Sequence, residues 1–130
     1  MSAVSYGWVA LGSAIGGVAR FWLSTLVAQR WPAFPLGTIV VNVTGSFAIG
    51  VLAAMTTPGG RWQLDPRWAP FLMSGICGGY TTFSAFSLQT LALAQQQQHW
   101  QALANVVLSV VLCLLAVWFG YRIGRLFTFA

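Results

Sequence analysis

Mainly apolar runs, uncharged apart from Arg20 in the first, recur four times along the chain, at about 6–28, 36–57, 69–94 and 103–121. Each approaches the roughly 20 residues that a helix needs to cross the hydrocarbon of a bilayer. The pattern predicts an all-α membrane protein, one transmembrane domain over residues 1–130 with four transmembrane helices. Turn-forming residues separate the runs: Trp31-Pro32-Ala33-Phe34-Pro35 before the second, and Thr57-Pro58-Gly59-Gly60-Arg61 with Asp65-Pro66-Arg67 before the third. Gln95 to Gln98 with His99 marks the third helix's end and the loop after it. The uncharged stretch from Trp68 to Gln98 is longer than one span. Its Gly75, Gly78 and Gly79, followed by Thr81, Thr82 and Ser84, predict a third helix broken near its middle.

Composition removes the soluble alternatives. Of 130 residues, 58% are hydrophobic and 5% charged, against about 25% charged in soluble domains. The net charge of +5 comes from six arginines spread between apolar runs, without the basic stripe that nucleic acid requires. One Asp and one His stand in separate loops, so no acid–base pair, triad or metal cluster is available and no enzyme is expected. Cys77 and Cys113 lie in apolar runs and read as small buried hydrophobes. Residues Met1 to Ser5 lack the positive region of a signal peptide, so the first run is read as mature protein. Trp8, Trp31, Trp62, Trp68, Trp100 and Trp118 fall near span ends, at headgroup level. Arg61, Arg67, Arg122 and Arg125 share one side with the termini, facing Arg30 and Arg20 on the other. That excess favours cytoplasmic termini.

Within the spans the polar residues form stripes. Thr38 and Asn42 are four apart, as are Asn105 and Ser109, so each pair shares a helix face. They either hydrogen-bond neighbouring helices or line a narrow path for a small polar solute or ion. Arg20 either snorkels to the interface or attracts an anion into a cavity. Phe83 and Phe86, three apart, are either a core stripe or two rings whose positive edges solvate an anion.

Gly17-Val18-Ala19-Arg20, Gly37-Thr38 with Asn42 and Gly45, and the string from Gly75 to Ser87 resemble the CrcB/Fluc fluoride channel family over nearly the whole chain. The most specific part is Gly78-Gly79-Tyr80-Thr81-Thr82-Phe83-Ser84-Ala85-Phe86-Ser87. The resemblance implies an antiparallel, dual-topology dimer in the cell inner membrane, with two fluoride pores and a structural sodium ion on the two-fold axis. It implies passive export of cytoplasmic fluoride and protection against its toxicity. Asn42, Phe83 and Phe86 match the pore residues, with Thr82, Ser84, Thr38 and Ser109 along the polar track and Arg20 at the mouth. Gly78 and Thr81 match the positions whose backbone carbonyls hold sodium.

Two features depart from that pattern. The arginine asymmetry leaves open a homodimer or a heterodimer with an oppositely oriented relative, and the Tyr80 hydroxyl has no assigned role. A small multidrug-type transporter and a purely structural membrane subunit are the competing readings. The first would need a membrane-embedded carboxylate, which these spans lack.

Overall fold

A computed structural model describes residues 3–59 and 63–129. Arg61 and Trp62, and with them part of the expected second loop, lie outside the described residues. The described residues contain helices and no strands: α1 (Ala3–Arg30), α2 (Leu36–Met55), a π-helix (Pro70–Cys77) running into the single turn α3 (Gly78–Tyr80), α4 (Phe83–Gln95) and α5 (His99–Phe129). By length and apolarity α1, α2 and α5 each suffice to cross a membrane. The remaining pass, third in chain order, is divided between the π-helix with α3 and, beyond the break, α4.

Local chemistry explains the boundaries. The two prolines after Trp31 cannot donate backbone hydrogen bonds, and α2 starts directly behind Pro35. Pro70 occupies the first turn of the π-helix, where a missing N–H costs nothing. At the end of α4, Gln97 takes φ 61°, and the N–H of Gln98 donates to Leu93 O at 2.9 Å. This is a Schellman-type stop that turns the chain straight into α5.

The centre of the bundle is α2, packed chiefly on α5, while α1 packs on the π-helix and α3. Backbones approach closely through glycines. A Cβ on Gly16 would strike Ile76 O, and one on Gly45 would strike the Thr81 methyl and the Tyr80 ring. Close small-residue contacts are how helices associate where lipid removes the hydrophobic drive between them. The outside is apolar: Val107, Val111 and Leu115 of α5 all point outward, as lipid-facing side chains should.

The break is a short extended step. Thr81 (ψ 157°) and Thr82 (φ −150°, ψ 113°) leave helical geometry. Two local bonds hold the ends: Thr81 Oγ1 donates to Cys77 O at 3.0 Å, and Thr82 Oγ1 caps α4 by accepting from Ala85 N at 3.1 Å. Threonine suits both tasks, since β-branching favours extended backbone and its hydroxyl is a preferred N-cap.

Candidate functional site: two cavities meeting at the break

Asn42 of α2 stands opposite the break and clasps it. Its Nδ2 donates to Thr82 O at 3.0 Å, and its Oδ1 accepts from Thr82 N at 2.7 Å. In an unbroken helix the Thr82 N–H would serve Gly78 O, and the Ala85 N–H would serve Thr81 O. Here Asn42 takes the first and the Thr82 hydroxyl the second. The carbonyls of Gly78 and Thr81 therefore lose their helical donors.

Tyr80 adds a second tie. Its hydroxyl lies 2.8 Å from Thr44 Oγ1, and the Thr44 proton is directed to Val40 O at 2.8 Å. A threonine hydroxyl has one proton, so Tyr80 donates to Thr44. The tyrosine for which the sequence offered no role thus anchors α3 to α2, its ring seated on Gly45.

On either side of this clasp lies a cavity. The first, about 670 Å³, opens between the α1–α2 and α4–α5 connections and is lined by Arg20, Thr25, Thr38, Gln89, Gln96 and Gln101 among others. The second, about 380 Å³, is lined by Asn42, Ser46, Gly78, Thr81, Phe83, Phe86 and Ser109, with Cys77 and Cys113 also on its wall. Thr82 alone lines both. The candidate residues are thus distributed: Arg20 and Thr38 in the first cavity, Asn42, Phe83, Phe86 and Ser109 in the second, with Gly78 and Thr81 beside the latter. Ser84 lines neither cavity and pairs with Thr82 Oγ1 at 3.2 Å.

Three polar atoms in these walls, Arg20 Nε, Gln89 Oε1 and Ser109 Oγ, are buried with no hydrogen-bond partner in the subunit, as is Asn105 Oδ1, which lines neither cavity. Such atoms are costly to bury, and two of them, Arg20 Nε and Ser109 Oγ, are N–H or O–H donors in the cavity walls. Asn105 also donates to Thr90 Oγ1 at 2.8 Å, and that hydroxyl donates to Phe86 O at 2.8 Å, linking α5 to α4 behind the Phe86 ring. The rings of Phe83 and Phe86 stand 5.2 Å apart at 50°. Phe86 is buried, whereas Phe83 is 77% exposed at the surface of the subunit.

Sequence reasoning passed over Gln89 and read Cys113 as a buried hydrophobe, whereas it is only partly buried and lines the second cavity. Gln89 follows Phe86 by three positions and Cys113 follows Ser109 by four, so extending each stripe by one helical turn would have included both.

An apolar helical bundle with two polar-rimmed cavities beside a broken helix defines a small multi-pass membrane protein. The family profile described as "CrcB-like protein, Camphor Resistance (CrcB)" matches residues 7–121, and the chain belongs to that family. The membership expected from the third-span motif is borne out. Among its relatives is the "Fluoride-specific ion channel FluC" of Rhodospirillum rubrum, 53% identical over 119 residues, covering 91% of this chain and 92% of the relative. The protein of the same name from Paramagnetospirillum magneticum is 56% identical over 119 residues, covering 91% and 93%. That of Methylocella silvestris is 49% identical over 122 residues, covering 93% of each chain.

Proposed function

We propose that the chain is a fluoride-selective passive ion channel of the cell inner membrane that lets cytoplasmic fluoride out. The observation that carries this reading is the pair of cavities joined at Thr82, whose walls hold unpartnered N–H and O–H donors and no carboxylate. Donors of this kind suit a small anion, and the only acid in the chain, Asp65, is bound by Arg67 in an exposed loop.

In this reading Arg20 draws the anion into the first cavity with a fixed positive charge. Thr38 and Thr82 then offer hydroxyls as it sheds water. In the second cavity the Ser109 hydroxyl and the Asn42 amide proton not used by Thr82 donate to it. The edges of Phe83 and Phe86 add weak positive potential. No site is both charged and enclosed in the second cavity, so the ion is solvated without being trapped.

Dimerisation and sodium belong to the same proposal. Phe83 projects from the subunit beside an open cavity, which fits completion of the route by a second copy in antiparallel orientation, or by an oppositely oriented relative. The freed carbonyls of Gly78 and Thr81 fit a sodium ion, which prefers oxygen ligands and would hold the break by charge. Both residues line the cavity wall at the edge of the subunit, where a partner's equivalent carbonyls would complete the set.

Halide efflux from liposomes containing the pure protein tests the reading. Fluoride efflux with chloride retained is expected. Equal efflux of both rejects selectivity, and no efflux of either rejects the channel. Exchange of sodium for a large organic cation should weaken the dimer as judged by cross-linking. An unchanged dimer would remove the ion from the assembly.

A further inference from the structure

The last turns of α5 carry a row of side chains that neither cavity uses. Trp118, Arg122, Arg125 and Phe129 follow at intervals of four, three and four residues, which places them on one helix face. The guanidinium of Arg122 lies 5.9 Å from the centre of the Trp118 ring, and that of Arg125 lies 4.4 Å from the centre of Phe129. Two cations thus sit on successive turns with an aromatic ring at each end of the row. All four side chains are exposed. Tyr121, which interacts with both Arg125 and Thr57, ties this end of α5 to the end of α2.

No side-chain acid neutralises the pair, because the chain's one carboxylate, Asp65, is held by Arg67 at 2.9 Å. Depth is set by helix rise: the apolar stretch 103–121 measures about 29 Å at ~1.5 Å per residue, close to the ~30 Å of hydrocarbon. Arg122 and Arg125 therefore begin where acyl chains give way to phosphates. Beyond them Leu126 and Phe127 are 69% and 71% exposed, so the end of the helix lies against apolar material and not in open water. A soluble acidic partner would not cover them at this depth; a lipid does.

We propose that this row is a binding site for an anionic phospholipid. The headgroup phosphate sits between Arg122 and Arg125, and the acyl chains run down past Trp118 along the outward face of α5. Guanidinium forks match phosphate oxygens, and the rings hold the two cations in place. The argument is independent of the fluoride reading.

Native mass spectrometry of the intact protein, released from detergent with added phosphatidylglycerol or phosphatidylcholine, tests it. The wild type is expected to retain phosphatidylglycerol at least tenfold better than phosphatidylcholine. Arg122→Gln/Arg125→Gln should bring the two lipids level, while Arg30→Gln, at the opposite membrane face, should leave the preference intact. Millimolar inorganic phosphate should not displace the lipid. Should the double variant not fold, Arg122→Gln alone, which changes only an exposed side chain, is expected to reduce the preference severalfold. Equal retention of both lipids by the wild type would overturn the site, as would loss in Arg30→Gln matching that of the Arg122 variants. Displacement by free phosphate would reassign the ligand and overturn the lipid proposal.

Discussion

Asn42 clasps the break and, in the proposed route, also donates to the ion; comparing two substitutions separates these tasks. In Asn42→Ala both bonds to Thr82 vanish; the Thr82 carbonyl, at the N-cap of α4, keeps the first helical bond, so the Thr82 N–H is the group left without a partner. An orphaned group costs about 1–3 kcal/mol when buried. Both bonds are only part-buried, so the lower half of that range applies and the loss is about 1–2 kcal/mol. Asn42→Asp keeps an oxygen for the Thr82 N–H but sets a carboxylate oxygen against the Thr82 carbonyl. About half of the tie survives, and a negative charge now faces the second cavity. Unfolding in mixed micelles, followed by circular dichroism, is expected to rank wild type above Asp above Ala in stability. Fluoride efflux is expected to fail in both, with Asp at least as impaired as Ala despite its greater stability. If Asn42→Ala unfolds within about 0.5 kcal/mol of wild type, the clasp is energetically idle and the account of the break is wrong.

Phe83→Ile and Phe86→Ile should each slow fluoride efflux by tenfold or more with circular dichroism unchanged, since isoleucine fills apolar volume without a positive ring edge; normal efflux in both would make the rings mere packing. Tyr80→Phe and Thr44→Val should each cost about 0.5–1.5 kcal/mol, and the double variant should cost little more than either single one, a coupling that a double-mutant cycle in the same unfolding assay reads directly. The Asp65 carboxyl is held below its ordinary value chiefly by the side-chain hydrogen bonds from Arg67, and next by the Arg67 backbone N–H. A lowered folded-state value gives stability that is present above the unfolded value and lost as pH falls through the folded one. Thermal unfolding is therefore expected to be flat from about pH 5 to 8 and to weaken slightly below about pH 4. The weakening should be absent in Asp65→Asn, and small throughout because Arg67 is exposed and Asp65 is partly so.

The helices and the break were legible in the sequence because both depend on local signals. Lipid imposes long uncharged runs, and a Gly-Gly followed by two threonines both weakens a helix and supplies the next N-cap. The candidate pore residues were legible through a resemblance more than through spacing. Periodicity shows that Thr38 and Asn42 share a face, yet it does not show that one lines the cavity of Arg20 and the other that of Phe86. That division comes from where α4 restarts, a tertiary property. The Tyr80–Thr44 bond joins residues 36 apart, and no local rule pairs two such distant hydroxyls. Gln89 escaped notice because an amide at one turn's remove from Phe86 is ordinary on any helix. Its Oε1 becomes informative only once it is known to be buried and unpartnered.

In the proposed route Thr82, the single residue common to both cavities, would set the two compartments in series, like resistors on one wire. Throughput across such a pair follows the larger barrier, so enlarging the compartment that is already easy to cross changes almost nothing. Entry and discrimination can accordingly drift apart during descent. On that route, substitutions around Arg20 and the glutamines would retune capture from solution, and substitutions around Phe83 and Phe86 would retune choice of ion, neither disturbing the other. The joint itself has no such freedom, because the residue that joins the compartments also caps α4 and receives the clasp from α2.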